Sequence, residues 1–199
     1  MTAGYVDAVG FMMTGGFFVS FMSGNSTRLA VGLAGAWPEA VLAGGLVAAF
    51  VCGVMLGSLA NRRADHVGGV RVLILVSALL ALAALLGSLG AIAWAVTLLA
   101  VAMGAENGVF QRDGEVSIGV TYMTGTLVRL GQRLAAALSG GARWAWTPYL
   151  LLWAGLIAGA VSGAMAFAQI GFNAVWLAAA VAAVLALVFA RMPHVSDQP

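Results

Sequence analysis

The chain has 199 residues, 62% of them hydrophobic and 8% charged, with a mean hydropathy of +1.02. Soluble domains carry about 45–50% apolar and about 25% charged residues, so this composition belongs to an integral membrane protein and excludes a water-soluble globular fold. Its nine basic residues are all Arg and, against seven acids, leave a net charge of +2, too small and too scattered for a nucleic-acid footprint; nucleic acid is excluded as a partner.

The chain opens M-T-A-G-Y-V-D, with neither a basic region nor an unbroken apolar run before Asp7. No cleavable signal peptide is read there, and the first helix reads as clipped. Gly4 to Ala34 is rich in Gly, Ser and Thr, holds Asp7 and Arg28, and is not a plain span. Ala40 to Ala60 is uncharged and predicts one crossing helix. Trp37-Pro38-Glu39 precedes it, an interfacial aromatic and then Pro at a helix start, and Asn61-Arg62-Arg63 follows. Val72 to Ala105 is uncharged for 34 residues and predicts two helices divided at Gly87-Ser88-Leu89-Gly90. Arg112, Asp113 and Glu115 read as a solvated charged turn. Val116 to Leu138 holds Arg129 and again is not a plain span. Tyr149 to Ala190, uncharged for 42 residues, predicts two more helices divided near Gln169 to Asn173.

Two stretches are near copies. Val19 to Ala34 reads V-S-F-M-S-G-N-S-T-R-L-A-V-G-L-A, and at an offset of 101 Val120 to Ala135 reads V-T-Y-M-T-G-T-L-V-R-L-G-Q-R-L-A, identical at seven of sixteen positions. The weight falls on Met22/Met123, Arg28/Arg129, Ser20/Thr121, Phe21/Tyr122 and Ser23/Thr124, because matched Ala, Leu and Gly mean little in so apolar a chain. Gly53 and Gly57 likewise find counterparts in Gly155 and Gly159, continuing to Gly163. That spacing puts glycines on one helix face, as an internal seam or a dimer seam where backbones approach closely.

In each copy a β-prone run, Phe17 to Met22 or Ser117 to Met123, leads into a run of N-cap residues, Ser23-Gly24-Asn25-Ser26-Thr27 or Thr124-Gly125-Thr126. An extended stretch breaking into a short capped helix is predicted, with Arg28 or Arg129 one turn in. Such a helix presents unpaired N–H groups and the positive end of its dipole, as discontinuous helices in carriers do. The plainer reading is an interfacial loop whose arginines snorkel to headgroups. An acid stands upstream: Asp7 and, at an offset of 100, Asn107 beside Glu106. Intramembrane acids serve ion paths, proton relays or charge pairing, so Asp7 either takes a proton during transport or pairs permanently with Arg28.

The runs A-G-Y-V-D-A-V-G-F, F-V-S-F-M-S-G-N-S-T-R-L, E-N-G-V-F and Y-M-T-G-T-L-V-R-L-G resemble the YoaK-like family of bacterial inner-membrane proteins over nearly the whole chain. Members of that family carry a complete first helix and a Q-N pair where this chain has Glu106-Asn107. The resemblance implies a pared-down relative of the permease fold that carries sulfate, dicarboxylates and nucleobases; the likeness to that fold is an analogy.

These readings predict an all-α polytopic membrane protein of about six to seven transmembrane helices in two related, inverted halves, 1–92 and 93–199, each with a short strand-then-half-helix motif. Arg62, Arg63 and Arg71 place their loop in the cytoplasm. The expected function is a secondary transporter of a small polar or anionic solute in the bacterial inner membrane. Ser23, Gly24, Asn25, Arg28, Thr124, Gly125, Thr126 and Arg129 are its candidate solute-binding residues, and Asp7, Glu106 and Asn107 its candidates for proton or ion coupling. The competing expectation is a scaffold or accessory subunit that transports nothing. Expected partners are the lipid bilayer, a small solute or ion, and a second copy forming a homodimer. No cofactor, metal or enzymatic activity is expected: Cys52 is the one cysteine, His66 and His194 are read in loops, and no G-x-x-x-x-G-K-[ST] loop occurs.

Overall fold

The computed structural model describes residues 1–62, 66–112, 115–116 and 123–192. Eight helices carry most of them: α1 Thr2–Thr14, α2 Met22–Leu33, α3 Trp37–Ala60, α4 His66–Ser88, α5 Ile92–Glu106, α6 Met123–Leu138, α7 Thr147–Ile170 and α8 Ala174–Arg191. Pro38 and Pro148 sit in the first turns of α3 and α7, where a missing N–H costs no hydrogen bond. Gly90 at φ 81° separates α4 from α5, and Gly171 at φ 59° ends α7. Only glycine takes that left-handed backbone without strain, which is why both expected divisions fall where they do.

Among the described residues four stretches are long and apolar enough to cross a membrane: Trp37–Ala60, Val67–Ser88, Ile92–Val109 and Thr147–Arg191. The last is bent by a single 3-10 turn, Gly171–Asn173, into α7 and α8. At the charged turn, two-residue strands β1 Gln111–Arg112 and β2 Glu115–Val116 pair antiparallel. His66 begins α4 instead of lying in a loop, and His194 falls outside the described residues.

Two expectations about the motif are corrected. Residues 17–21 are non-helical, but they form no strand and pair with none among the described residues. The second β-prone run, 117–122, lies outside the described residues. Nor do the hydroxyl residues cap α2, which already begins at Met22 with Phe21 at its N-cap position and no side-chain cap. Ser26 Oγ donates to the Met22 carbonyl at 2.8 Å and Thr27 Oγ1 to that of Ser23 at 3.2 Å, so both are spent on the helix's own preceding turn.

The core is built from backbones in close approach. A Cβ placed on Gly53, Gly57 or Gly104 would strike the carbonyl oxygens of Val101, Ala105 and Phe50 respectively, so α3 and α5 run side by side in the same direction. A Cβ on Gly159, Gly163 or Gly4 would strike those of Met1, Tyr5 and Leu156, so α1 and α7 do the same. Both seams are internal to one chain. Their members correspond at an offset of 100 between α1 and α5 and of 106 between α3 and α7. The glycine match therefore shifts by one turn: Gly53 and Gly57 answer to Gly159 and Gly163, while a Cβ on Gly155 would meet Met1 Cγ at an ordinary 3.6 Å. The cause is loop length, since three residues join α2 to α3 and eight join α6 to α7. Between the seams α4 lies against α8. Gly69 meets the Phe189 ring, Ser77 Oγ donates to the Ala179 carbonyl at 3.1 Å, and Ser88 Oγ lies 3.3 Å from Asn173 Oδ1, so the two helices run antiparallel.

Candidate functional site

The break between α1 and α2 is the most polar place in the described interior. Gly15 at φ 69° and Gly16 at φ 118° stop α1, and the non-helical backbone that follows has no strand to pair with. Three side chains supply its partners. Thr14 Oγ1 accepts the Phe17 N–H at 3.0 Å and lies 2.9 Å from the Phe17 carbonyl oxygen. Asn25 turns its amide onto Phe18, with Oδ1 accepting the N–H at 3.0 Å and Nδ2 donating to the carbonyl at 2.6 Å. Asp7 Oδ1 accepts the N–H groups of Val19 at 2.9 Å and Ser20 at 2.7 Å. Four consecutive residues are thus held by Thr14, Asn25 and Asp7, and backbone of this kind survives at membrane depth only when so satisfied. Asn25 is 0% exposed and Asp7 5%. The Ser20 side chain is buried beside it, 3% exposed.

Arg28, one turn into α2, does not pair with Asp7; among the described residues no ion pair joins them. Its guanidinium lies over the Phe17 ring, Cζ 4.6 Å from the centroid, with Nη2 close against Gly16, where a Cβ would stand 2.9 Å away. The cation is held by a ring face, and the Asp7 carboxylate by backbone. The permanent Asp7–Arg28 bridge is therefore corrected. Gly24 is half-buried against Phe18, where a Cβ would meet the ring at 2.8 Å, and Ser23 is exposed.

The second motif is placed differently. α2 packs on α3, with Gly32 against Ala40, whereas α6 packs on α7. No extensive contact brings α2 to α6. Thr124, Gly125 and Arg129 are exposed and Thr126 is half-buried. Ser23 to Arg28 and Thr124 to Arg129 thus do not face one another across a shared space within the described chain. Arg129 instead lines a cleft of about 380 Å³ with Gln132, Arg133, Ala136 and Tyr149.

Glu106 and Asn107 lie at the end of α5. Glu106 buries one carboxylate oxygen, Oε2, which has no hydrogen-bond partner among the described residues. Asn107, 4% exposed, donates from Nδ2 to the Met103 carbonyl at 3.0 Å, back onto its own helix. Asn61 was not singled out from the sequence; it is buried and its Nδ2 donates to the Gly108 carbonyl at 2.8 Å, tying the end of α3 to the turn after α5. The Asn at the exit of an apolar run was the available signal. Thr14 offered none, because a Thr ahead of two glycines reads as an ordinary helix end.

The break, the buried polar clamp and the long apolar helices can be set beside known proteins. The family described as "Protein of unknown function (DUF1275)" matches residues 1–188. The chain belongs to that family. This DUF1275 member is also 37% identical over 197 residues to the UPF0700 transmembrane protein RA0705 of Rhizobium meliloti (strain 1021), covering 96% of this chain and 83% of the relative. No solved structure matches it. With four stretches fit to cross a bilayer and a transmembrane relative, this DUF1275 chain is a multi-pass membrane protein.

Proposed function

We propose that the protein is a secondary transporter of a small polar or anionic solute in the bacterial inner membrane, made of two inverted halves, 1–92 and 93–199, and within its family akin to the YoaK-like group. The observation that carries this reading is the clamped break at residues 17–20, an interrupted helix next to a short one. α2 has twelve residues, about 18 Å at 1.5 Å per residue, roughly three-fifths of a hydrocarbon core of about 30 Å. Interrupted helices of this kind mark solute sites in carriers. Inversion is supported by the antiparallel run of α4 against α8 and by the matched seams, α1 on α7 and α3 on α5. On this reading six helices cross, α1 counted with the five long ones, while α6 re-enters as its counterpart α2 does.

In the transporter, Thr14, Asp7 and Asn25 are positioning residues that keep the break open, and Ser23, Gly24 and Arg28 present themselves to solute at the start of α2. Thr124, Gly125, Thr126 and Arg129 are their counterparts on α6, and a second copy in a homodimer is the means of bringing the motifs together. Asp7, Glu106 and Asn107 are the coupling candidates, Glu106 because of its buried oxygen, unpartnered among the described residues. Uptake of radiolabelled sulfate, phosphate or dicarboxylate into proteoliposomes, with and without a pH gradient, tests the reading. Flux is expected in the wild type and its loss in the Arg28→Ala/Arg129→Ala double variant; undiminished flux in that variant overturns the anion site.

A second reading, a membrane scaffold or accessory subunit, is favoured by one observation: Asp7 Oδ1 and both ends of the Asn25 amide are already occupied within the chain. It predicts no flux of any solute in the same vesicles.

A further inference from the structure

The glycine at which α2 comes closest to α3 is replaced, in the second half, by a much larger residue. Gly32 meets Ala40 so closely that a Cβ would stand 2.7 Å from its nitrogen; at the offset of 101 the α6 counterpart of Gly32 is Arg133, and that of Gly35 is Ala136. On α7, at the offset of 106, Tyr149 stands in the place of Ala43. Helix α6 cannot close on α7 as α2 closes on α3, and the space left between them is the cleft lined by Arg129, Gln132, Arg133, Ala136 and Tyr149. The widening is filled with donors: two guanidiniums, an amide and a phenol.

The segment that carries these charges holds no acid of its own. From Val116 to Ser196 the chain contains no Asp or Glu, yet it carries Arg129, Arg133, Arg143 and Arg191. Two guanidiniums in one cleft with no acid in the same stretch of chain suit an anion from outside, and their planar fork fits a phosphate better than a point charge does. The opposite face of α6 exposes Leu127, Val128, Leu134 and Leu138. Exposed Trp144 stacks near Trp146 at the α6–α7 connection, with Arg143 over its ring, the aromatic and basic signature of headgroup depth. A charged cleft and an apolar helix face at that depth fit a ligand with a phosphate and acyl chains.

We propose that the α6–α7 cleft is a binding site for the headgroup of an anionic phospholipid, its phosphate held by Arg129 and Arg133 and its chains leaving the cleft past exposed Val128 into the bilayer. Arg129 is shared with the residues proposed for the transported solute, whereas Arg133, Gln132 and Tyr149 are not, so Arg133 is the position that tests the lipid site apart from transport. The test is the thermal unfolding of the purified, delipidated full chain in detergent, titrated with phosphatidylglycerol, with phosphatidylcholine, or with inorganic phosphate alone. Phosphatidylglycerol is expected to raise Tm, and Arg133→Gln to weaken its apparent affinity about tenfold or more, the loss of one charge-assisted bidentate contact. Arg133→Lys is expected to fall between, and Arg143→Gln, outside the cleft, to match the wild type. An equal response to phosphatidylcholine overturns the proposal, as does unaltered affinity in Arg133→Gln. A shift with inorganic phosphate and none with phosphatidylglycerol replaces the lipid by a free anion. Should Arg133→Gln fail to fold, native mass spectrometry of the wild type and Arg133→Lys decides: equal retention of phosphatidylglycerol by the two, or none by the wild type, sinks the site.

Discussion

Asn25 gives both ends of its amide to one residue, so that a side chain on α2 does for Phe18 what a neighbouring strand would do in a sheet. Asp7 serves Val19 and Ser20 by acceptance alone, and an acceptor need not be charged. Asn, which stands at the corresponding place as Asn107, offers the same oxygen. Asp7→Asn is therefore expected to keep both N–H bonds and to fold with little change in Tm, whereas Asp7→Ala strands two buried donors at a cost of about 1–3 kcal/mol each. If Asp7 also carries the coupled proton, the two demands separate in Asp7→Asn. The variant stays folded, and solute uptake in proteoliposomes no longer responds to a pH gradient. Uptake by folded Asp7→Asn that follows the gradient as the wild type does removes Asp7 from coupling and leaves it as a clamp.

At the scale of elements, the helix divisions at Gly90 and Gly171 were legible because a positive φ is written in the residue type. The glycine faces of α3 and α7 were legible too, as a spacing. Which glycines face a backbone was not, because that depends on the eight-residue connection after α6, whose extra length has no signature in the glycines themselves. The clamp was illegible for a related reason. Asp7 reaches its partners across twelve and thirteen positions and the turn of two glycines, a matter of tertiary geometry. The seam register can be tested with single methyl groups. In Gly159→Ala the new Cβ drives into the Met1 carbonyl, and overpacking of this kind costs about 1–3 kcal/mol. In Gly155→Ala it meets Met1 Cγ at 3.6 Å, and the helix interior gains roughly 0.5–1 kcal/mol from Ala over Gly. Thermal unfolding in detergent should show Gly159→Ala falling by about 2–4 °C per kcal/mol and Gly155→Ala unchanged or raised. The reverse order would restore the register read from sequence spacing alone.

For the whole molecule, a two-fold relation that exchanges the halves has to place α4 against α8 and exchange the seam of α3 on α5 with the seam of α7 on α1. Because α4 and α8 run antiparallel, the turn between α3 and α4 and its counterpart between α7 and α8 belong on opposite faces of the bilayer. Local contacts tie the second of these to a third turn: Ser88 Oγ, at the end of α4, lies 3.3 Å from Asn173 Oδ1, at the start of α8. In a Cys52→Ala background, which removes the exposed native thiol, cysteines introduced singly as Arg62→Cys, Leu89→Cys and Asn173→Cys report these three turns. A membrane-impermeant maleimide applied to spheroplasts should label Leu89→Cys and Asn173→Cys, and applied to inverted vesicles should label Arg62→Cys, the side that the positive-inside rule predicts for a turn flanked by Arg62, Arg63 and Arg71. Labelling of Asn173→Cys from the same side as Arg62→Cys would make the halves parallel. Parallel halves would set the two interrupted helices pointing the same way along the membrane normal, and solute-facing helix ends could not then converge on the midplane from opposite sides.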